Sequence, residues 1–425
     1  MIDLRLLRTS PDVVRAALAR RGDGAVGGLL DELQALDERR RALQAVLDGL
    51  NAERNVGAKA DAEHVKARGA LPTDVVAQRK ALGARIAEAE GALRAAEAAL
   101  EAKALYVPNP PLADVPDGDE SCRRVVREWG EPAPAGGRPH WELGERLGLL
   151  DSGRGAKLAG SGFPLLVGSG ARLARALIAF MLDLHTREQG YVELAPPLLV
   201  RRRTIQATGQ VPKFEDDLYR TAPDDLFLVP TAEVPLTALH GDEILDGTTL
   251  PLAYTAYTPC FRREAGAAGK DTRGLLRVHQ FDKVELVRLC RAADSAAEHE
   301  IMTGHAETVL RRLELPYRVV LLPTGDMGFA SAKTYDLEVW APGSGAWLEV
   351  SSASNCTDFQ ARRAGIRCRP APGAKPELVH TLNASGVALP RTIAALLETR
   401  QRPDGSVALP AALVPYAGTD RLGGR

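Results

Sequence analysis

Residues 258–286 read TPCFRREAGAAGKDTRGLLRVHQFDKVEL, and the way this stretch folds back on itself decides the fold. The runs 258–263 and 277–286 favour β structure, with Val278, Gln280, Asp282, Val284 and Leu286 marking the alternation of the second. Between them, Gly266, Gly269 and Gly274 with Lys270, Asp271 and Arg273 are too glycine-rich and charged for a packed element, so a mobile polar loop is expected. The pattern predicts a hairpin with Arg262 and Glu264 on one limb and Phe281 and Glu285 on the other. Such a hairpin can hold a nucleotide: arginine forks onto phosphate, a carboxylate accepts from an exocyclic amine, and a ring stacks on a purine. An ordinary charged hairpin has the same spacing, and spacing alone does not separate the two. The run Ala265–Lys270 loosely suggests a phosphate-binding Walker loop, but Asp271 follows the lysine and GxxxxGK[ST] is not satisfied.

The chain of 425 residues is long for one domain, and two are expected. Hydrophobic content of 45% and charged content of 26% are those of a soluble globular protein. A net charge of −1 argues against a wholesale basic nucleic-acid binder while leaving room for local basic patches. Cys122, Cys260, Cys290, Cys356 and Cys368 are scattered and form no CxxC, so reduced thiols in a cytoplasmic protein are expected and no zinc. The N-terminus lacks an apolar signal-peptide core, and the most apolar helix, near 173–184, carries Arg175 and Asp183, so no membrane span is expected.

Upstream, Ser10-Pro11-Asp12 starts a helix that ends near Arg21-Gly22. Gly22–Gly27 matches GxGxxG but follows a helix rather than a strand, and reads as a loop. Leu29, Leu33, Leu36, Leu43, Leu47 and Leu50 keep a 3–4 alternation broken where Arg40 takes an apolar slot. Val75, Arg79, Leu82, Ile86, Ala89, Leu93, Ala96 and Leu100 keep strict 4–3 spacing. Two heptad stripes joined at Gly69–Pro72, with Thr73 or Asp74 capping the return, predict an antiparallel coiled-coil hairpin over about residues 28–104. The proline run Val107–Pro111 ends this arm, placing a boundary between 1–108 and 109–425. Residues 112–170 read as short strands and loops. Beyond them come an amphipathic helix over 170–185, a strand over 190–197, and a strand over 226–229 ending in Thr231-Ala232-Glu233, where helix capping by Thr231 is as good a reading as ligand binding. A hairpin over 333–352 and a strand running into an apolar helix over 380–398 complete the chain.

The 258–286 stretch resembles motif 2 of class II aminoacyl-tRNA synthetases, in the form used by seryl-tRNA synthetases. The N-terminal arm, the 170–197 block with Pro197 at the motif 1 proline, the TAE block, the ASNCTDFQARR block at 353–363 and the motif 3-like 380–398 block carry the likeness over essentially the whole chain. The resemblance implies an α+β fold: an antiparallel-sheet catalytic domain with an N-terminal helical hairpin arm. It implies ATP-dependent activation of L-serine to seryl-adenylate and transfer to tRNA(Ser), with tRNA(Sec) a further acceptor.

It assigns Arg262 to the α-phosphate, Glu264 to the adenine amine, Phe281 to stacking on adenine and Arg391 to the γ-phosphate. Glu349 and Ser352 would bind Mg²⁺ with the phosphates, and Arg263, Val278, Val350 and Ser351 would also line the ATP site. Thr231, Ala232, Glu233, Arg262, Glu285, Asn383 and Ser385 would receive serine, and Arg262, Arg391 and Glu349 would be catalytic. It further implies a homodimer, cytoplasmic location and an arm that grips tRNA. Arg263, Ala353, Ala384 and Thr399 depart from residues common in the family. An amino-acid:carrier-protein ligase lacks such an arm, and a non-catalytic tRNA-binding scaffold would not be expected to keep Arg262, Glu264, Glu349 and Arg391 together.

Overall fold

The computed structural model describes residues 1–265 and 273–423. The glycine-rich run 266–272, with Lys270 and Asp271, lies outside them, and with it most of the expected loop.

Ile2–Ala19 and Asp23–Val107 form one compact unit; Met1, Arg20–Gly22 and the chain from Pro108 onward form the other. Arg20–Gly22 belongs with the second because the buried Arg21 guanidinium donates to the carbonyls of Asn109, Met327 and Gly328 there.

In the first unit the helices Val26–Arg68 and Thr73–Ala104 pair as an antiparallel hairpin. Leu47, Leu50, Leu82, Ile86, Ala89 and Leu93 bury between them. The stripe begins with Val26, Leu30 and Leu33, and Leu29 is only half-buried. The polar residues in the seam are explained by pairing. Arg79 binds Asp61 (2.7 and 3.0 Å), lying over Gly57, where a Cβ would come within 2.4 Å of the guanidinium. Arg40 binds Asp37, a buried carboxylate that also receives Arg8 and Arg41. The return helix is not capped by Thr73 or Asp74: its N-cap is Pro72, and no side chain accepts there.

The second unit is built on an eight-stranded sheet: β1 Arg124–Trp129, β2 Val192–Glu193, β3 Leu252–Phe261, β4 Gln280–Cys290, β5 Tyr317–Leu321, β6 Lys333–Ala341, β7 Ala346–Asn355 and β8 His380–Ala388. Their order is β1-β5-β6-β7-β8-β4-β3-β2, antiparallel except that β2 runs parallel to β3. The helices Ser169–Arg187, Ser295–Arg312 and Leu389–Thr399 share one hydrophobic core with the sheet residues Val284, Leu286, Leu337, Val350, Leu382 and Ala384.

Several sequence boundaries shift. β3 begins at Leu252 rather than Thr258, and β4 runs to Cys290 with every residue from Lys283 onward buried, because both strands lie inside the sheet. The expected 190–197 strand shrinks to Val192–Glu193, its neighbours being prolines and loop. Residues 112–170 hold two helices, His140–Arg146 and Ser152–Ala159, besides β1.

Two bulges set which side chains leave the core. In β7, Glu349 pairs with Glu338 and Ser351 with Leu337, so Val350 is the extra residue. In β8, Ser385 pairs with Glu285 and Val387 with Val284, so Gly386 is extra. An extra residue resets a two-residue alternation. Glu349 and Ser352, three apart, therefore face the same side, as do Ser385 and Ala388. Glycine is needed at 386: a Cβ there would sit 2.6 Å from His185 Nε2.

Candidate active site

Opposite the helices, β3, β4, β7 and β8 floor a cavity made of two adjoining hollows of about 190 and about 550 Å³. Both are lined by Arg262, Glu264, Arg277, Lys283, Glu349 and Ser385. The smaller adds Val278, Phe281, Val350 and Arg391; the larger adds Thr231, Glu233, Glu285, Ser352 and Asn383.

In the smaller hollow the Arg262 guanidinium lies 5.1 Å from the centre of the Phe281 ring, and its Nε donates to the Pro230 carbonyl (3.4 Å). Cys260 and Phe281 are direct cross-strand partners, which brings the two limbs of the hairpin together just before Arg262. Glu264 has φ +51°, a backbone conformation that costs a residue with a side chain about 1–3 kcal/mol. Asp217 holds it there: its carbonyl accepts from the Arg263 N–H (2.9 Å) and its carboxylate from the Ala265 N–H (3.0 Å). The Glu264 carboxylate meets Arg277 at 2.6 Å. Arg391, third residue of its helix, donates to the Leu276 carbonyl (3.1 Å) and to both the carbonyl (2.8 Å) and carboxylate (3.2 Å) of Glu349.

The larger hollow is carboxylate-rich, and Thr231, Glu285 and Asn383 in its lining are buried. The Thr231 hydroxyl donates to Glu285 (3.2 Å), which also pairs with Lys283. Glu233 accepts from Gln360 (2.7 Å) and Asn383 (3.2 Å). Its carboxyl is pushed up to about 7, by burial first and then by the charge of Glu285. Burial also raises Glu285, against the pull of Lys283. A buried carboxylate, Glu285, and a half-buried one, Glu233, with a hydroxyl and an amide between them are suited to a small hydroxylated cation. Beneath Glu349, the buried Asp336 is raised well above the ordinary range by burial and then by Glu349.

Three of the residues assigned from sequence stand apart. Arg263 is exposed, donates to the Asp216 carbonyl (3.0 Å) and lines a separate hollow with Lys213 and Arg220. Ala232 is fully buried at the N-cap of the short helix Glu233–Ala238, and the buried Ser351 hydroxyl donates to the Ser385 carbonyl (2.6 Å). Sequence reasoning missed Lys283, Arg277 and Gln360. Lys283 was accessible to it, since residues two apart on a strand share a face and Glu285 was already singled out. Arg277 and Gln360 gave no such signal. Among the described residues no cluster of three His, Cys, Asp or Glu side chains is placed to hold a metal, all five cysteines are free, and no helix is long and apolar enough to cross a membrane.

Residues 213–400 match the tRNA synthetase class II core domain (G, H, P, S and T), and residues 1–111 match the seryl-tRNA synthetase N-terminal domain. The chain is 54% identical to the serine–tRNA ligase of Gemmatimonas aurantiaca, over 98% of this chain and 99% of that protein. It is 53% identical to the serine–tRNA ligase of Thermomicrobium roseum, over 100% and 95%. Its fold matches the crystal structure of seryl-tRNA synthetase from Pyrococcus horikoshii complexed with ATP at a TM-score of 0.91, with 38% identity over 99% of each chain. The cytoplasmic serine–tRNA ligase of Naegleria fowleri in complex with AMP matches at 0.86, with 27% identity over 99% of this chain and 98% of that one. The antiparallel sheet, the helical arm and the full-length identity agree: this chain belongs to the seryl-tRNA synthetase family of class II aminoacyl-tRNA synthetases.

Proposed function

We infer that this chain is an ATP-dependent serine–tRNA ligase whose reaction runs in the cavity above β3, β4, β7 and β8. The observation that carries the residue assignment is the polarity of that cavity. One end gathers the cations Arg262 and Arg391 with the Phe281 ring, and the other gathers the half-buried Glu233 and the buried Glu285 with Thr231 and Asn383. Adenine stacks on Phe281 with its amine toward Glu264, Arg262 holds the α-phosphate and Arg391 the γ-phosphate. The serine ammonium sits at Glu233, and its hydroxyl reaches the Thr231–Glu285 end. The serine carboxylate then attacks the α-phosphorus in line, pyrophosphate leaves, and the terminal ribose hydroxyl of tRNA takes the seryl group from the adenylate. No protein nucleophile is required: positioning and charge neutralisation carry the step.

Magnesium accompanying ATP fits the Glu349 carboxylate and Ser352 hydroxyl, oxygen donors that both line the cavity and suit a hard cation, and it would offset phosphate charge there. The paired helices of the arm supply the tRNA-gripping element, for tRNA(Ser) and tRNA(Sec) alike. The protein works in the cytoplasm as a homodimer; the dimer is supported by the exposed apolar Val192 of the short parallel strand β2 and Leu198 and Leu199 just after it. The test is amino-acid-dependent ATP–pyrophosphate exchange with each standard amino acid. Exchange with serine alone, lost in Arg262→Ala, is expected; no exchange from folded protein with any amino acid would overturn the reading.

A further inference from the structure

The buried His140 stands outside the cavity and outside every motif quoted above, yet it touches one of the cavity's walls. It is the first residue of the helix His140–Arg146, and its side chain is fully buried. Nε2 accepts a hydrogen bond from the backbone N–H of Leu275 (3.0 Å). An imidazole nitrogen that accepts carries no proton, so the ring proton sits on Nδ1 and is donated to Glu398 Oε1 (2.7 Å). Glu398 is fixed in turn by the backbone N–H of His140 (2.9 Å) and by the N–H and hydroxyl of Ser344 (2.8 and 2.7 Å). Its carboxyl stays below the ordinary range because these bonds outweigh the burial that would raise it.

The contact is close enough to dictate a glycine. At Gly274, φ is +65°, and a Cβ would come within 2.4 Å of His140 Nε2 and 3.1 Å of Trp141 Cβ. Leu275 is buried in the main core, and the next carbonyl, Leu276, accepts from Arg391 Nε (3.1 Å). Arg391 and Glu398 lie on the same helix, Leu389–Thr399. The helix therefore meets the returning limb of the hairpin twice, once through Arg391 and once through Glu398 by way of His140.

We propose that His140 is a positioning residue for ATP: as a neutral imidazole bridging Glu398 to the Leu275 amide, it fixes the 274–276 limb so that the Leu276 carbonyl orients the Arg391 guanidinium in the cavity. The inference rests on the reading of Arg391 as a phosphate ligand. Among the described residues, the hydrogen bonds of this bridge reach neither Thr231 nor Glu233, at serine's end of the cavity.

The test separates position from fold by comparing two amide replacements in serine-dependent pyrophosphate exchange, alongside thermal unfolding. His140→Asn keeps a donor near Nδ1 for Glu398 and loses the acceptor for Leu275; His140→Gln places an acceptor near Nε2. His140→Asn is expected to raise KM for ATP about tenfold with KM for serine within about twofold, and His140→Gln to recover most of that loss. Should His140→Asn not fold, Gly274→Ala presses on the same contact from the loop side, and the same ATP-selective rise is expected. An unchanged ATP KM in the folded variant, or ATP and serine KM values moving together with Tm, overturns the proposal. Absence of exchange in the unmodified protein would overturn the reading of the cavity itself, a separate result.

Discussion

The Thr231 hydroxyl donates to the Glu285 carboxylate at 3.2 Å while its oxygen accepts from the Glu233 N–H at 3.1 Å. One hydroxyl thus ties the start of a helix to the floor of the sheet: Ala232 is the N-cap, and Thr231, one residue before it, still accepts from the helix's first N–H. Thr231→Val keeps the shape and removes both bonds. Because it leaves a buried carboxylate short of a donor, a cost of about 1–2 kcal/mol is expected, read as a rise of about five- to thirtyfold in KM for serine with little change for ATP.

The pH dependence has a defined sign. Glu233 holds its proton up to about 7 in the folded chain, above the ordinary 4.5. The stability this contributes is fully present below about 4.5 and is lost as pH rises through about 7. The ionised form is the one that attracts an ammonium, so serine binding should strengthen over the same rise. Urea titrations across this window should show Glu233→Gln flattening the stability profile. Serine titrations of the same variant should show weak, pH-independent binding.

Phe281 is half-buried and packs one face against Arg262. Phe281→Ala removes the stacking surface at a cost of about 1–2 kcal/mol to nucleotide binding. Isothermal titration with ATP should report a Kd about ten times weaker, while serine KM stays near its original value.

The arm offers a separation of half-reactions. Ile86→Asp places a charge in the six-residue seam cluster, which no partner satisfies. Aminoacylation of tRNA should fall by an order of magnitude or more, while serine-dependent pyrophosphate exchange is retained, since the residues proposed for adenylation all lie in the other unit. Loss of exchange as well would remove the arm's assignment to tRNA.

Much of this was legible in the sequence because it depends on local period. The 4–3 spacing of Leu82, Ile86, Ala89 and Leu93 has one structural solution, a paired helix, whereas the pairing of Arg79 in that stripe with Asp61 was not announced by the spacing. The hairpin limbs and the residues at their ends were readable for the same reason. What escaped was set by pairing across the chain. His140 comes from a segment with no periodic pattern, and nothing near it announces Glu398, 258 positions away. The bulge at Val350 escaped because nothing in the composition of its strand marks the extra residue and only the partner strand shows it; at Gly386 a glycine inside a strand was the one local signal.

Those two bulges behave as punctuation in a code of period two. Remove Val350, and plain alternation takes over with Glu349 and Ser352 two apart, still on the cavity side, and Ala353 still in the core. Remove Gly386, and Ser385 and Ala388 stand two apart and still share a side. A lineage carrying this sheet can drop the extra residue at either bulge and keep the cavity's side chains on their side, whereas a single-codon deletion in the regular part of either strand acts on the folded protein as a frameshift acts on a message.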